Sequence, residues 1–430
     1  MKISTHQYLG HLTLKLVLLK ILVLLFCNTT IYSQTAENNQ KELTVLIAKA
    51  FIDVQTGKTI MNPVVYIREG KIEKIGSGLE IPTSAKIIDL SGKYILPGLI
   101  DAHTHLCHEY HGELERVSGA NTIAETVKLT EGDRALLGAK YAREMLLSGY
   151  TSVRDLGNSG TNSSVALRDA INKGWVMGPR LFVSTRAISP IGGQFSKMAP
   201  EMQNLIVSKE YVEINNSDEA RRAVRQAIYD GADCIKIIVN NDKLVLSEEE
   251  LTTIVEEAKR AGVKVAAHAT NGDGPSLLAV KAGVNSIEHA YTISADVLKL
   301  MSEKNIYLVP TDASGVERYQ KRIQRALAAN VKIAFGSDLY YYNPQTTRGQ
   351  IAVGSYRSYK ESGMTNLQIL QSATMHPGIL LAGEGKIGLL QNGYFADIIA
   401  SDENPLDNIR TLENVVFIMK GGDVIKNIGN

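Results

Sequence analysis

Two histidines one residue apart, His103 and His105, close the segment Pro97-Gly98-Leu99-Ile100-Asp101-Ala102-His103-Thr104-His105. On a strand, side chains two apart share a face. Two imidazoles on one face can hold a borderline-soft divalent ion. A lone His-x-His is more often an ordinary polar pair. Here further residues of ligand type follow: Lys236, His268, His289 and Asp338. Lys236 sits inside the apolar run Cys234-Ile235-Lys236-Ile237-Ile238-Val239. A buried ammonium is costly unless paired or modified. One reading pairs it with Asp338 across a lumen. The other has it carboxylated by CO₂, so that an anion bridges two cations. In that case His268 and His289 fit the second ion, and Asp338 adds the further negative charge that two dications require.

Residues so far apart in sequence need a scaffold that gathers them. From Pro97 onward, short apolar runs alternate with helical patterns. The runs are Gly98–His103, Thr151–Asp155, Leu181–Thr185, Cys234–Val239, Val263–His268, Ser286–His289, Ile306–Pro310 and Lys332–Gly336. Such runs suit strands buried on both faces of a parallel sheet. Ser247 and Glu250 make a capping box, and Leu251, Ile254, Val255 and Ala258 repeat at helical spacing until Gly262. Eight such units predict an α/β fold, a (β/α)₈ TIM barrel over residues 97–386. A doubly wound open sheet is the runner-up, but no Gly-rich phosphate loop follows the first run. In the barrel, every candidate ligand lies at or just past a strand's C-terminal end, where barrel enzymes place their chemistry.

Both flanks read differently. Leu43–Ala50, Val64–Arg68 and Lys71–Ile75 are strand-like and separated by turn residues, with a pause at Gly92. Tyr394–Ser401 and Val415–Met419 resemble them. The expectation is one small β-sandwich domain built from both chain ends, residues 42–96 and 387–430. Before it, Lys2 and Lys15 precede the apolar run Leu16 to Phe26, interrupted by Lys20, and small Ser33 precedes Gln34. This pattern predicts a signal peptide over residues 1–33 and export to the periplasm or beyond; an uncleaved anchor is the alternative.

The bulk composition excludes little. The chain has 430 residues, 44% hydrophobic and 21% charged, with a formal net charge of +1. No basic excess points to nucleic acid. Beyond the leader only Cys107 and Cys234 remain, which is no disulfide framework. The partner expected is a small molecule, and self-association into a homo-oligomer is compatible with the sequence. Arg154 at the end of the second run and Arg348 beyond Asp338 are candidates to grip a substrate carboxylate, with a structural salt bridge an equal alternative for each. His108 and His111 are read as solvated loop histidines, and Cys107 as packing.

The Pro97–His105 motif, the Lys236 strand, the two single histidines and Phe335-Gly336-Ser337-Asp338 occur in the order found in the amidohydrolase superfamily, which the chain resembles over nearly everything after the leader. Gly393–Ile399, Asn404-Pro405-Leu406 and Met419–Gly422 resemble that superfamily's closing β segments. Within it the chain looks like the imidazolonepropionase-like or prolidase-like group. The resemblance implies two divalent ions, usually zinc, bridged by a carboxylated Lys236 and a hydroxide. His103, His105 and Asp338 would hold one ion and His268 and His289 the other, with Asp338 moving the proton. Gln194 follows Ile191-Gly192-Gly193, where prolidase-like relatives often have a histidine, and it joins Arg154 and Arg348 as a candidate substrate contact. Three functions compete: two-ion hydrolysis of a dipeptide or N-acyl amino acid, imidazolonepropionase-like opening of a cyclic amide by one ion, and non-catalytic binding. Lys236 separates the first two, because one-ion members generally lack it.

Overall fold

The computed structural model describes residues 42–111, 120–312 and 315–428, so the expected signal peptide lies outside the described residues. The described residues from Thr44 onward form one compact unit. The chain enters through β1 (Thr44–Asp53), β2 (Lys58–Met61), β3 (Pro63–Arg68), β4 (Lys71–Ser77) and β5 (Lys86–Pro97). The pause expected at Gly92 is a bulge within β5: Ala48 faces Leu90, yet Ala50 faces Tyr94 on the parallel neighbour.

Strands and helices then alternate, with one exception. The strands are β6 (Leu99–Thr104), β7 (Tyr150–Asp155), β8 (Arg180–Val183), β9 (Ala187–Ser189), β10 (Tyr211–Glu213), β11 (Cys234–Ile238), β12 (Lys264–Ala269), β13 (Ser286–His289) and β14 (Tyr307–Val309). β8 runs to β9 without a helix, and the short strands β9 and β10 are additions to the predicted set. They form two parallel sheets, ordered β6-β7-β8 and β10-β9-β11-β12-β13-β14. β7 and β11 are buried along their whole length, as strands covered on both faces must be. The helix Glu248–Arg260 carries the expected capping box: Ser247 Oγ accepts from Glu250 N at 3.2 Å, and Ser247 N donates to Glu250 Oε2 at 2.7 Å. Its buried face includes Leu251, Ile254 and Ala258.

The eighth expected strand, Lys332–Gly336, is an extended segment rather than a strand. On one side it exchanges hydrogen bonds with β14, through Ala334 N to Leu308 O and Leu308 N to Lys332 O. On the other, Ala102 N donates to Phe335 O and Asp338 N to His103 O. Phe335 N, however, donates to Ser372 O, which diverts one rung of the ladder.

β15 (Ile398–Ser401), β16 (Phe417–Lys420) and β17 (Asp423–Asn427) complete the chain. They join the first strands in a single mixed sheet, ordered β17-β16-β15-β5-β1-β3-β4, with β2 on β1. The two chain ends therefore share one sheet, as expected; the expected sandwich of two separate sheets is not found among the described residues. The seam is the antiparallel pairing of β15 with residues 94–97 of β5.

Loss of the capping box should cost stability and nothing else. Ser247→Ala is expected to lower unfolding free energy by about 1 kcal/mol, read by urea denaturation, with turnover unchanged.

Candidate active site

The expected ligands His103, His105, Lys236, His268, His289 and Asp338 all line one cavity of about 270 Å³. Register explains part of this. Across the parallel ladder Lys236 pairs with Ala266, and Ile238 with His268, so these side chains share the inner face. His289 and Asp338 need something more. Both have left-handed backbones, with φ of +69° and +53°, a region non-glycine residues seldom occupy. That turn at the end of β13 lets two successive residues, Glu288 and His289, both face inward. Close packing fixes the Asp338 segment: a Cβ added at Gly336 would lie 2.7 Å from His103 Cβ and 2.5 Å from Val309 Cγ1.

The geometry suits a cation. His103, His105 and Asp338 each bring one ligand atom within 4.8 Å of the others. His105 Nε2 is 2.9 Å from Asp338 Oδ1, and His103 Nε2 is 3.5 Å from it. The opposite ring nitrogens are occupied: His103 Nδ1 donates to Glu288 Oε2 at 2.7 Å, and His105 Nδ1 to Gly157 O at 2.8 Å. That fixes the tautomers and aims each Nε2 at Asp338. Among the described residues the buried His103 Nε2 has no hydrogen-bond partner, and a buried polar atom left so calls for one. The His289 ring lies 5.1 Å from that of His103 and 4.6 Å from that of His268, centre to centre. His289 Nδ1 is 2.8 Å from Thr311 Oγ1.

Electrostatics keep the donor atoms available. Burial, and then the nearby Lys236, hold His103 well below the usual imidazole range and His268 down to about 3. Burial, and then His268, do the same to His289. These rings stay neutral, the form that ligates. Burial alone would raise the Asp338 carboxyl, but the facing His103 and His105 outweigh it and hold it below the usual carboxylate range. Lys236 is pulled down to about 8 by burial, against the opposing pull of Glu288 and Asp338. Its salt bridge to Asp338, one of the two readings of this lysine, is not made among the described residues.

The structure places the two arginines elsewhere than expected. Arg154 is buried, with Nε on Ala102 O at 2.6 Å, Nη1 on Ser286 Oγ at 3.2 Å and Nη2 on Glu288 Oε1 at 2.8 Å. Arg348 is equally spent, donating to His105 O at 2.8 Å, His108 O at 2.6 Å and Tyr340 O at 3.1 Å. Neither lines the cavity, so both brace its frame. Gln194 does line the cavity, with Nε2 3.3 Å from His268 Nε2 and Oε1 3.4 Å from Tyr211 Oη. His108 is not the solvated loop residue expected: it is 5% exposed, lines the cavity and is paired through Nδ1 with Glu125. Cys107 is buried against Gly138, as its packing role predicts.

Two acidic residues stand out only in three dimensions. Glu288 links His103 to Arg154. Asp101 is buried and pushed up to about 7 by that burial, while its Oδ1 accepts from His103 N and Ser337 N, each at 3.0 Å. Asp101 so ties the first ligand strand to the Asp338 loop. A carboxylate inside the short buried strand Ser286–His289 was the available signal for Glu288. Strict alternation with an inward His289 turns it outward, and only the left-handed turn removes that conflict.

A neutral imidazole cluster with an acid, at the strand C-termini of a parallel α/β unit, defines a metal-dependent hydrolase site. The amidohydrolase family profile matches residues 94–428, and the chain belongs to that family. It is 29% identical to an ochratoxinase of Aspergillus niger, over 92% of this chain and 89% of the relative. It is 23% identical to an imidazolonepropionase of Caldanaerobacter subterraneus, over 87% and 93%. A crystal structure of a Xaa-Pro dipeptidase with methionine bound in its active site superposes with a TM-score of 0.77 at 29% identity, over 90% of this chain and all of that one.

Replacing Glu288 with glutamine removes the negative charge that strengthens the hydrogen bond orienting His103. Glu288→Gln is expected to weaken divalent-metal binding by about 10–100-fold, measured by competition with a chromophoric chelator. An unchanged affinity would show that Glu288 serves the frame alone.

Proposed function

We propose that this hydrolase of the amidohydrolase family is binuclear, and that it cleaves the C–N bond of an amide in a dipeptide or an N-acyl amino acid. One observation carries the reading: four imidazoles, Lys236 and Asp338 meet in a single cavity where the buried His103 Nε2 makes no hydrogen bond among the described residues. The two parallel sheets are read as arcs of one closed (β/α)₈ barrel. The hydrogen bonds from Ala102 N and Asp338 N at one seam support this, as does that from Asp233 N to Val183 O at the other.

In this reading His103, His105 and Asp338 hold one divalent ion, zinc by preference, and His268 and His289 hold the second. Lys236 lies between them. Its free amine would add to CO₂ with loss of a proton to solvent, and the resulting carbamate would supply anionic oxygens to both ions. When bound, two such ions polarise the substrate carbonyl and make water acidic enough to attack near neutral pH. The protein's own contribution is proton handling. Asp338 takes the proton from the attacking water at its carboxylate oxygen and delivers it to the leaving nitrogen as the C–N bond breaks. The products are a carboxylic acid and an amine. Lys236 weighs against the one-ion reading suggested by the imidazolonepropionase relatives, since one ion needs no bridge.

Elemental analysis of protein reconstituted with zinc and bicarbonate should give two ions per chain; chelation should abolish turnover and zinc restore it. One ion or none would overturn the binuclear reading. Lys236→Ala should lose metal and activity, with partial recovery in formate or acetate. Asp338→Asn should retain part of the metal but lose ~10²–10⁴ in kcat. A fully metallated variant within a few-fold of the parent would assign the proton to another group.

A further inference from the structure

The cavity at the ligands opens onto a second, larger space of about 530 Å³, and the two share Gln194, Phe195, His268 and Tyr291. Their linings differ in the charged groups they carry. Away from the ligands, the inner cavity has an apolar wall of Leu156, Ala187, Phe195, Tyr211 and Ile238. Among the described residues lining it, no charged side chain is left free for a substrate: Lys236 and Asp338 belong to the ligand cluster, and His108 is held by Glu125. Arg154 and Arg348 are spent outside it. An ammonium enclosed there would lack a free counter-ion, and unpaired burial of charge is severely unfavourable.

The outer space mixes apolar side chains with polar ones. It carries Lys197 and Lys243 against the single carboxylate of Asp242, with the side-chain amides of Gln203, Asn240 and Asn241 between. Neither lysine's side-chain ammonium makes a hydrogen bond or ion pair among the described residues. Their loops are laced together: Asn241 Nδ2 donates to Ile191 O at 3.1 Å and to Gly193 O at 3.0 Å. The loop after β9, which bears Lys197, and the loop after β11, which bears Lys243, are thus held around one opening.

Resting on the amide-hydrolase reading, we infer that the substrate is an N-acyl amino acid with an uncharged, apolar acyl group. The acyl half fills the inner cavity, and the carboxylate of the amino-acid half is received in the outer space by Lys197 and Lys243. A dipeptide with a free ammonium next to the scissile carbonyl is disfavoured, because the inner cavity has no free carboxylate to pair with it. Exposed lysines attract and orient a charge without touching the reacting atoms, so their effect falls on KM rather than kcat.

The test uses zinc-loaded full-length protein and three compounds: N-benzoyl-L-leucine, N-benzoyl-L-leucinamide and L-phenylalanyl-L-leucine. N-benzoyl-L-leucine should exceed the free-ammonium dipeptide at least tenfold in kcat/KM. Its KM should be about fivefold below that of the leucinamide, the scale of two exposed ion pairs. Raised salt should erode that second difference. The double variant Lys197→Gln/Lys243→Gln should raise KM about fivefold for N-benzoyl-L-leucine and leave kcat and the leucinamide unchanged. Equal or better cleavage of the dipeptide, or a double variant with unaltered KM, overturns the inference while the hydrolase reading stands. No cleavage of any of the three by protein carrying its zinc overturns both.

Discussion

One buried carboxylate holds the site in register. Glu288 lies on β13, accepts from His103 on β6 and pairs with Arg154 on β7. Three strands from two sheets therefore meet on a single side chain. Such a pair gains little over apolar packing, but breaking it leaves a charge stranded in the interior. Its value is geometric: it sets the ring orientation of His103, and through Arg154 Nε on Ala102 O it grips the backbone one residue before that histidine. Asp101 acts likewise on the other flank, joining His103 to the Asp338 loop. The ligand cluster is a product of these constraints, and the left-handed backbones at His289 and Asp338 are tolerated because the surroundings over-determine them.

Much of this was legible in the sequence because period-two spacing and buried apolar runs are local signals. The alternating units, the capping box at Ser247 and the shared sheet of the two chain ends were found where expected. So was the meeting of His103, His105, Lys236, His268, His289 and Asp338. What failed was non-local. Nothing in the residues around Arg154 or Arg348 says that backbone oxygens far along the chain will consume their donors. His108 reads as a loop residue until Glu125 closes over it. The run Lys332–Gly336 has strand composition, but Ser372 takes one of its rungs. Glu288 was hidden by alternation itself, which fails at a positive φ that only the folded turn reveals.

The terminal sheet has a consequence for how the molecule is made. Residues 94–97 of β5 emerge early in synthesis, and their antiparallel partner, β15, emerges only after the whole catalytic unit has been produced. Until then Ile95 and Leu96, both fully buried in the finished protein, lie on an open apolar edge, the kind that recruits other chains. The last strands act as a latch that closes only on a completed polypeptide. A prematurely terminated chain would be left adhesive, and thereby marked for removal.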